Sequence, residues 1–472
     1  MTNIKENNYY TQVKISGWTK SKFVETNLTY PENINQIIDV LRFAKNKKKR
    51  IAIRGRGCSF GDQSYIKNEI TCDLSKFNKI INFDSKNQLI TVESGISLIE
   101  IYKHILSKNF ILESTPGGLQ VSVGGAISNN IHGKDCFKNG YFNENVSSIK
   151  YLDSNLKIHK IKFNKNNSNK LNNIFGGIGL FYLILEVTLH LKKKQSLVLQ
   201  THTKRVNNID SMIKNFENLN TEEYDYAIGW IDCFSRDKKI GRGLFRTATF
   251  INKNYNQSIL EKKISIQENK KKFLFLPQKI TIWILSKIYC RFLFKLANSI
   301  IFSFSSLGFK KVNFIKFIWI DNNFIPNYPD IFIKEGLFTI QPFVPIKDAN
   351  KNIKKILLIC QKYKFEGILC PIKKYKKAKI TNELHFSGDG YSIVLDIPIN
   401  KNFNFQFKYF IDEISTFLSK INGRIYLTKD LHLDKKNFTK LFFNFNDFVI
   451  EKNICDNNNL FATDQYLRLM QK

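Results

Sequence analysis

At 472 residues, with 43% hydrophobic and 24% charged side chains, the chain is long enough for two domains with full cores and too apolar to be disordered. Its formal net charge is +33, from 73 basic and 40 acidic residues, a balance that invites a nucleic-acid reading. The basic residues are mostly scattered, and the clusters at 45–50, 192–194, 269–272 and 373–379 sit in no helix-turn-helix, zinc-finger or RNA-recognition pattern, so no nucleic acid is expected and an anionic membrane surface is the favoured partner.

The first 18 residues lack the apolar core and small-residue cleavage site of a signal peptide, which predicts a cytoplasmic chain with reduced thiols. From 31 to 191 the pattern is α/β. Apolar spacing predicts a helix over 32–46, then short strands at IAIR (51–54), ITCDL (70–74), INFD (81–84) and LITVES (89–94), and a helix in SLIEIYKHILSKN (97–109). Strand patterns recur at 146–163 and 180–191; the latter, after a GGIG turn at 176–179, has the near-continuous apolar character of a buried strand.

Beyond the basic run at 192–194 the chain changes character. Strands are predicted in YAIGWIDCF, GLFRTATF, GLFTIQPFVP, EGILCPIKK and YSIVLDIPI, and helices near 208–218, 347–363 and 404–421. Residues 273–305 are rich in Phe, Ile, Leu and Trp, interrupted by Lys279, Lys287, Arg291 and Lys295. The longest uncharged run is too short to span a bilayer, which needs about 20 apolar residues. The spacing of cations describes an interfacial segment, against the alternative of a helix pair in the core. Eight cysteines carry no C-x-x-C pair or metal-type spacing with the seven histidines, so neither a metal site nor a disulfide framework is expected.

Two glycine-studded turns carry the chemistry: IAIRGRGCSFGDQ (51–63) and PGGLQVSVGGAISNNIHGK (116–134). Glycines so closely spaced remove the Cβ atoms that keep backbone N–H groups from an anion, which points to a dinucleotide held by main chain. No G-x-G-x-x-G opens a helix and no G-K-[ST] follows, so neither the Rossmann fingerprint nor a P-loop is present.

The forms R-G-x-G-x-S-x-G-D (Arg54–Asp62) and P-G-x-x-x-V-x-V-G-G-A-I (Pro116–Ile127) resemble the two pyrophosphate loops of the vanillyl-alcohol-oxidase type of FAD-binding flavoprotein, a likeness that runs over nearly the whole chain. The segments AISNNIHGKD (126–135), GRIYLTKD (423–430) and LFATDQYLRL (460–469) narrow it to the branch that oxidises polyprenylphosphoryl-ribose. The resemblance implies an α+β protein: a two-part FAD-binding domain of the PCMH type (1–197 and 423–472) with an inserted α+β substrate or cap domain (198–422).

It also implies roles. FAD would be held by Ile53, Arg54, Gly55, Arg56, Gly57 and Cys58, and onward by Ser59, Phe60, Gly61 and Asp62. The second loop would add Gly117, Ser122, Val123, Gly124 and Gly125. Asn129, Asn130, Ile131, His132, Ile184 and Tyr426 complete the cofactor set. Lys429 matches the lysine required for activity, assigned to binding and activating the sugar hydroxyl; His132 matches the histidine beside the flavin ring. Which of the two is the base stays open. Lys134, Trp230, Gln341 and Lys373 are the substrate candidates. Cys58 stands where many relatives carry a flavin-linked histidine, so FAD is expected to be non-covalent; Val394 replaces the branch's mid-strand cysteine. The implied reaction is FAD-dependent oxidation of the ribose 2′-hydroxyl of a polyprenyl-phosphate sugar to the keto form, on the inner face of the cell membrane. A short-chain NAD(P)H-dependent keto-reductase would be the functional partner. An oxidase of a soluble polyol or aldonolactone is the alternative, and a basic lipid-surface protein with a degenerate flavin fold is disfavoured because both loops are intact.

Overall fold

Short runs of β-branched residues bracketed by turn residues build the first sheet of the computed structural model, which describes residues 10–163, 172–251, 272–273, 276–319, 328–332, 336–399 and 403–471. Strands β1 (Thr11–Ser16), β2 (Phe23–Thr29), β3 (Ile51–Arg54) and β4 (Ile70–Asp73) lie in the order β1-β2-β4-β3, with β2, β4 and β3 mutually parallel. Helix α1 (Ile34–Asn46) crosses from β2 to β3. Its N-terminus is capped by the Asn33 side chain, and Ile37, Val40, Leu41 and Ala44, at i, i+3, i+4 and i+7, are its buried stripe. Strand β3 therefore delivers the first glycine loop to the carboxyl end of a parallel sheet, where open α/β sheets place ligands. Phe461 pairs in parallel with Ile51, so the C-terminal segment closes onto the same sheet.

The second sheet is antiparallel. Strands β5 (Ile80–Asp84), β6 (Leu89–Glu93), β7 (Phe110–Leu112), β8 (Val146–Leu152), β9 (Ile158–Lys162) and β10 (Leu183–Lys193) run in the order β5-β6-β10-β8-β9, with β7 also on β10. The near-continuous apolar reading of β10 holds only for Leu183, Ile184 and Leu185; from Glu186 onward burial falls on alternate residues. Helix α2 (Leu98–Ile105) starts in a capping box of Ser97 and Glu100, and the short α3 (Val123–Ser128) starts at Ser122, whose Oγ accepts from Gly125 N.

An eight-stranded sheet follows, with β11 (Val198–Val206), β12 (Tyr226–Ile231) and β13 (Gly243–Phe250) joined by Gly308–Asn313, Pro342–Pro345, Pro371–Tyr375, Gly390–Ile393 and Arg424–Ile425. Helices α4 (Ile209–Glu217), Ala349–Lys362 and Phe403–Lys420 share one core with it. The predicted strands at 336–345 and 391–399 each break in two. Leu337–Ile340 pairs with Leu395–Pro398 apart from the large sheet, and the breaks fall at Gln341 and Val394. Strands at 198–206 and 308–313 had no clear period in sequence. Arg424–Ile425 still pairs with Pro342 and Phe343 of the eight-stranded sheet, and the chain leaves it only at Tyr426.

Within 273–305 the structure forms two helices, α5 (Gln278–Ile288) and α6 (Arg291–Phe304). They are not the core pair of the alternative reading: the fully buried residues are Thr281 on α5 and Asn298 on α6. Ile282, Leu285 and Phe294 rest on a small cluster around Tyr328 and Phe332, while Trp283, Phe292 and Phe304 are 63%, 71% and 82% exposed. No helix among the described residues is long and apolar enough to cross a membrane.

Candidate active site

The two glycine loops and the turn that follows Arg424–Ile425 meet at one place. Phe60 N donates to Thr428 O at 3.0 Å, and Gly61 lies so close to this turn that a Cβ there would stand 1.8 Å from Asp430 O. From the other side, Tyr426 Oη donates to Asn129 O at 3.2 Å and Thr428 Oγ1 to Asn129 Oδ1 at 2.8 Å. The YLTKD turn thus rests on both loops.

Between them lies a cavity of about 570 Å³. Ile53, Gly55, Arg56, Gly57, Cys58, Ser59 and Phe60 line it from the first loop. Gly117, Ser122, Gly124, Gly125, Asn129, Ile131 and His132 line it from the second, with Ile184 of β10 and Tyr426 at the start of the YLTKD turn. Lys429, Lys134, Trp230, Gln341, Lys373 and Val394 are on the same wall.

Five expected cofactor residues stand behind the wall instead. Arg54 turns its guanidinium to Asp73 (3.3 Å) and Ser64 Oγ (3.0 Å), fixing the end of β3. Asp62 is paired with Arg468, with Nη2 2.8 Å from Oδ1 and Nε 2.9 Å from Oδ2, which ties the C-terminal helix to the loop. Gly61 is occupied by its approach to Asp430, and Val123 is in the core. Asn130, at φ +39°, accepts from Asn143 N through its side chain at 3.2 Å.

The cavity suits FAD on its own chemistry. A Cβ on Gly55 would stand 1.9 Å from Ser122 Oγ, so the two loops approach as only glycine permits. Gly179, at φ +75° with nothing within 4 Å of a Cβ position, opens onto the same space. The side-chain polar atoms of Gln63, Ser94 Oγ and Gln341 Oε1 are buried on the cavity wall with no hydrogen-bond partner among the described residues, as expected where a polar ligand completes them.

His132 is the centre of the polar end. Its ring is edge-on to Tyr375 at 4.9 Å, and Tyr375 Oη lies 3.2 Å from Nδ1 and 3.4 Å from Nε2. Gln341 Nε2 donates to Tyr375 Oη at 3.2 Å, and Lys373 Nζ is 3.5 Å from His132 Nδ1. Burial, with Lys373 and Lys429 nearby, holds the imidazole pKa well below its usual value, so the ring is uncharged at neutral pH. Burial raises the Tyr375 phenol well above its usual range, so its O–H donates to whichever ring nitrogen carries the lone pair. Lys373 is lowered by burial. Lys429 sits over the Phe60 ring at 4.6 Å.

Lys134 differs from expectation. Its ammonium donates to Phe317 O and, at 3.2 Å, to Ile318 O at the end of α7 (Phe314–Ile318), so its first role is to hold that helix. Tyr375, which positions His132, and Arg246, on β13, are not among the residues that the sequence pattern singles out. Both lie in alternating strand segments where a polar residue reads by default as solvated.

Residues 27–162 match the model of the FAD binding domain family. Over 97% of the chain and 98% of the relative, the protein is 23% identical to decaprenylphosphoryl-beta-D-ribose oxidase of Mycolicibacterium smegmatis. Shorter matches include a putative D-arabinono-1,4-lactone oxidase of Neurospora crassa, 30% identical over 26% of this chain and 22% of that one. Another is L-gulonolactone oxidase of Bos taurus, 24% identical over 44% of this chain and 48% of the relative. With its paired glycine loops around one cavity and an FAD binding domain over residues 27–162, the chain is similar to FAD-linked oxidases over most of its length and is an FAD-dependent oxidoreductase.

Proposed function

We propose that the protein oxidises the ribose 2′-hydroxyl of a polyprenylphosphoryl-ribose to the 2-keto sugar. The observation that carries this reading is a cavity that begins at the glycine loops and reaches Ile301 of α6, so one space joins the His132 and Lys429 end to an apolar helix.

FAD, when bound, supplies the two-electron acceptor for the hydrogen on the carbinol carbon. Lys429 binds the hydroxyl oxygen and stabilises the negative charge that develops as its proton leaves. His132, uncharged and aimed by Tyr375 and Gln341, offers a ring nitrogen to that proton. Phe386 and Tyr426, with ring centroids each 5.4 Å from the His132 ring, leave water little room beside it. A keto-reductase of the short-chain NAD(P)H type, delivering hydride to the opposite face, would complete an epimerisation that supplies an arabinose donor for cell-envelope glycans.

The lipid comes from the side of α5 and α6. These helices turn Trp283, Phe292 and Phe304 outward, flanked by exposed Lys279, Lys287, Lys295, Lys310 and Lys311, and residues 276–319 contain no acidic side chain. An apolar surface ringed by cations suits the boundary of an anionic bilayer. Incubation of holoenzyme with farnesylphosphoryl-ribose should yield a sugar lighter by two hydrogens. An unchanged sugar, with a free aldonolactone or polyol oxidised instead, would replace this reading with that of a soluble-substrate oxidase.

A further inference from the structure

Arg246 lies mid-strand in β13, where a guanidinium needs an explanation. Its cross-strand neighbours are Ile228 on β12 and Thr203 on β11. Ile228, Trp230, Leu244 and Arg246 all line the cavity, joined there by Ile301 and Phe317, so the charge is set in an otherwise apolar wall. Arg246 Nε donates to Thr203 Oγ1 at 2.9 Å, which fixes the plane of the group and leaves both terminal amino groups. Among the described residues no carboxylate pairs with it. Its neighbours Arg205 and Arg242 do have partners, at Phe302 O (2.7 Å) and Asp232 (2.8 Å). More than a third of Arg246 is nonetheless accessible, although protein surrounds it closely enough for burial to lower its pKa, and the residue lines the cavity. An accessible guanidinium with both terminal amino groups open on an otherwise apolar wall is available to an anion.

The position is specific. The other cavity cations are engaged elsewhere: Arg56 with Glu100, Lys134 with carbonyls of α7, Lys373 beside His132, and Lys429 over Phe60. Gly229 pairs with Ile372, and continuing that register sets Lys373, Ile228, Arg246 and Thr203 in one row across four neighbouring strands. At about 4.8 Å per strand, Arg246 stands about 10 Å from Lys373, toward the side of the sheet where Arg205 and Arg242 reach Phe302 O and Ser299 Oγ of α6.

We propose that Arg246 is the phosphate anchor of the substrate cavity: its two terminal amino groups take two oxygens of a phosphate ester whose sugar lies at His132 and whose apolar chain runs toward α6. A planar fork fixed through Nε suits this bidentate contact. The inference rests on reading the cavity as the substrate pocket but does not require a particular sugar.

The test is equilibrium binding of farnesyl phosphate, farnesol and ribose 5-phosphate to FAD-loaded wild type, Arg246→Gln and Arg246→Lys, with flavin content and Tm as controls. Arg246→Gln should weaken farnesyl phosphate at least tenfold while farnesol stays within twofold, and Arg246→Lys should fall between. Equal farnesyl phosphate affinity in wild type and Arg246→Gln would overturn the assignment, as would equal losses for farnesyl phosphate and farnesol. If ribose 5-phosphate binds more tightly than farnesyl phosphate and still depends on Arg246, the anchor stands and the lipid-linked substrate falls.

Discussion

Thr428 Oγ1 donates to Asn129 Oδ1 at 2.8 Å across 299 positions of chain, joining the turn that carries Lys429 to the turn that carries His132. Phe60 N, on the first glycine loop, donates to Thr428 O, so one residue gathers three segments that line the cavity. The positions of Lys429 and His132 on the cavity are therefore set by backbone and short side chains.

Replacing Lys429 by Ala should leave the fold and FAD content intact, because the turn is held by Thr428 and Tyr426. Turnover should fall by about 10²- to 10³-fold, the usual range for a group that stabilises charge developing on the reacting oxygen. Flavin absorbance of the purified variant and its rate of flavin reduction check both halves; an active variant would remove Lys429 from the chemistry.

Gly61→Ala should act differently. The added Cβ meets Asp430 O at 1.8 Å and Asp430 C at 2.7 Å, backbone atoms that cannot rotate away. The YLTKD turn must then move off the loop, at a cost of about 1–3 kcal/mol. Lower Tm and loss of bound flavin are expected together, and wild-type Tm with full flavin would contradict the packing described.

His385 is held uncharged by burial, its pKa lowered to about 3 against 6.5 for the free side chain. With the native pKa depressed, the unfolded chain binds the extra proton, so this group's contribution to stability is fully present above about pH 6.5 and is lost as pH falls toward 3. The slope is at most about 1.4 kcal/mol per pH unit. Comparing Tm of wild type with His385→Asn from pH 7 to pH 4, the wild type should lose ground steadily; a pH-independent difference would show that His385 titrates in the native state as it does in the unfolded chain.

Trp283, Phe292 and Phe304 point outward, so changing all three to Ser should cost little stability, within about 0.5 kcal/mol each. Sedimentation with vesicles rich in phosphatidylglycerol should nevertheless be lost. Undiminished vesicle binding would detach α5 and α6 from the membrane.

Much of this site was legible in the sequence because glycine leaves a signature no other residue mimics. Gly55, Gly57, Gly124 and Gly125 mark close backbone approach, and the structure places all four on the cavity. His132 and Lys429 were legible only through the motifs around them, since an isolated lysine ending a strand reads as solvated. The splits at Gln341 and Val394 were hidden inside continuous apolar runs, where periodicity has nothing to mark a break. Tyr375 and Arg246 were hidden for the opposite reason: in KKY and GLFRTATF the alternation is ordinary, and only sheet order turns that face toward a cavity.

Cys58 lies on the cavity wall, with Sγ 3.6 Å from Arg56 O. A non-covalent cofactor follows if the amides and glycines of the two loops hold FAD without this thiol. Acid denaturation should then release all flavin to the supernatant; yellow colour retained by the precipitate would assign a covalent bond.

The most direct measurement is anaerobic mixing of oxidised holoenzyme with polyprenylphosphoryl-ribose while the flavin absorbance is followed. Bleaching by this substrate, and not by free polyols or aldonolactones at the same concentration, is the predicted result. Bleaching by a free polyol or aldonolactone with no response to polyprenylphosphoryl-ribose would contradict the proposed function.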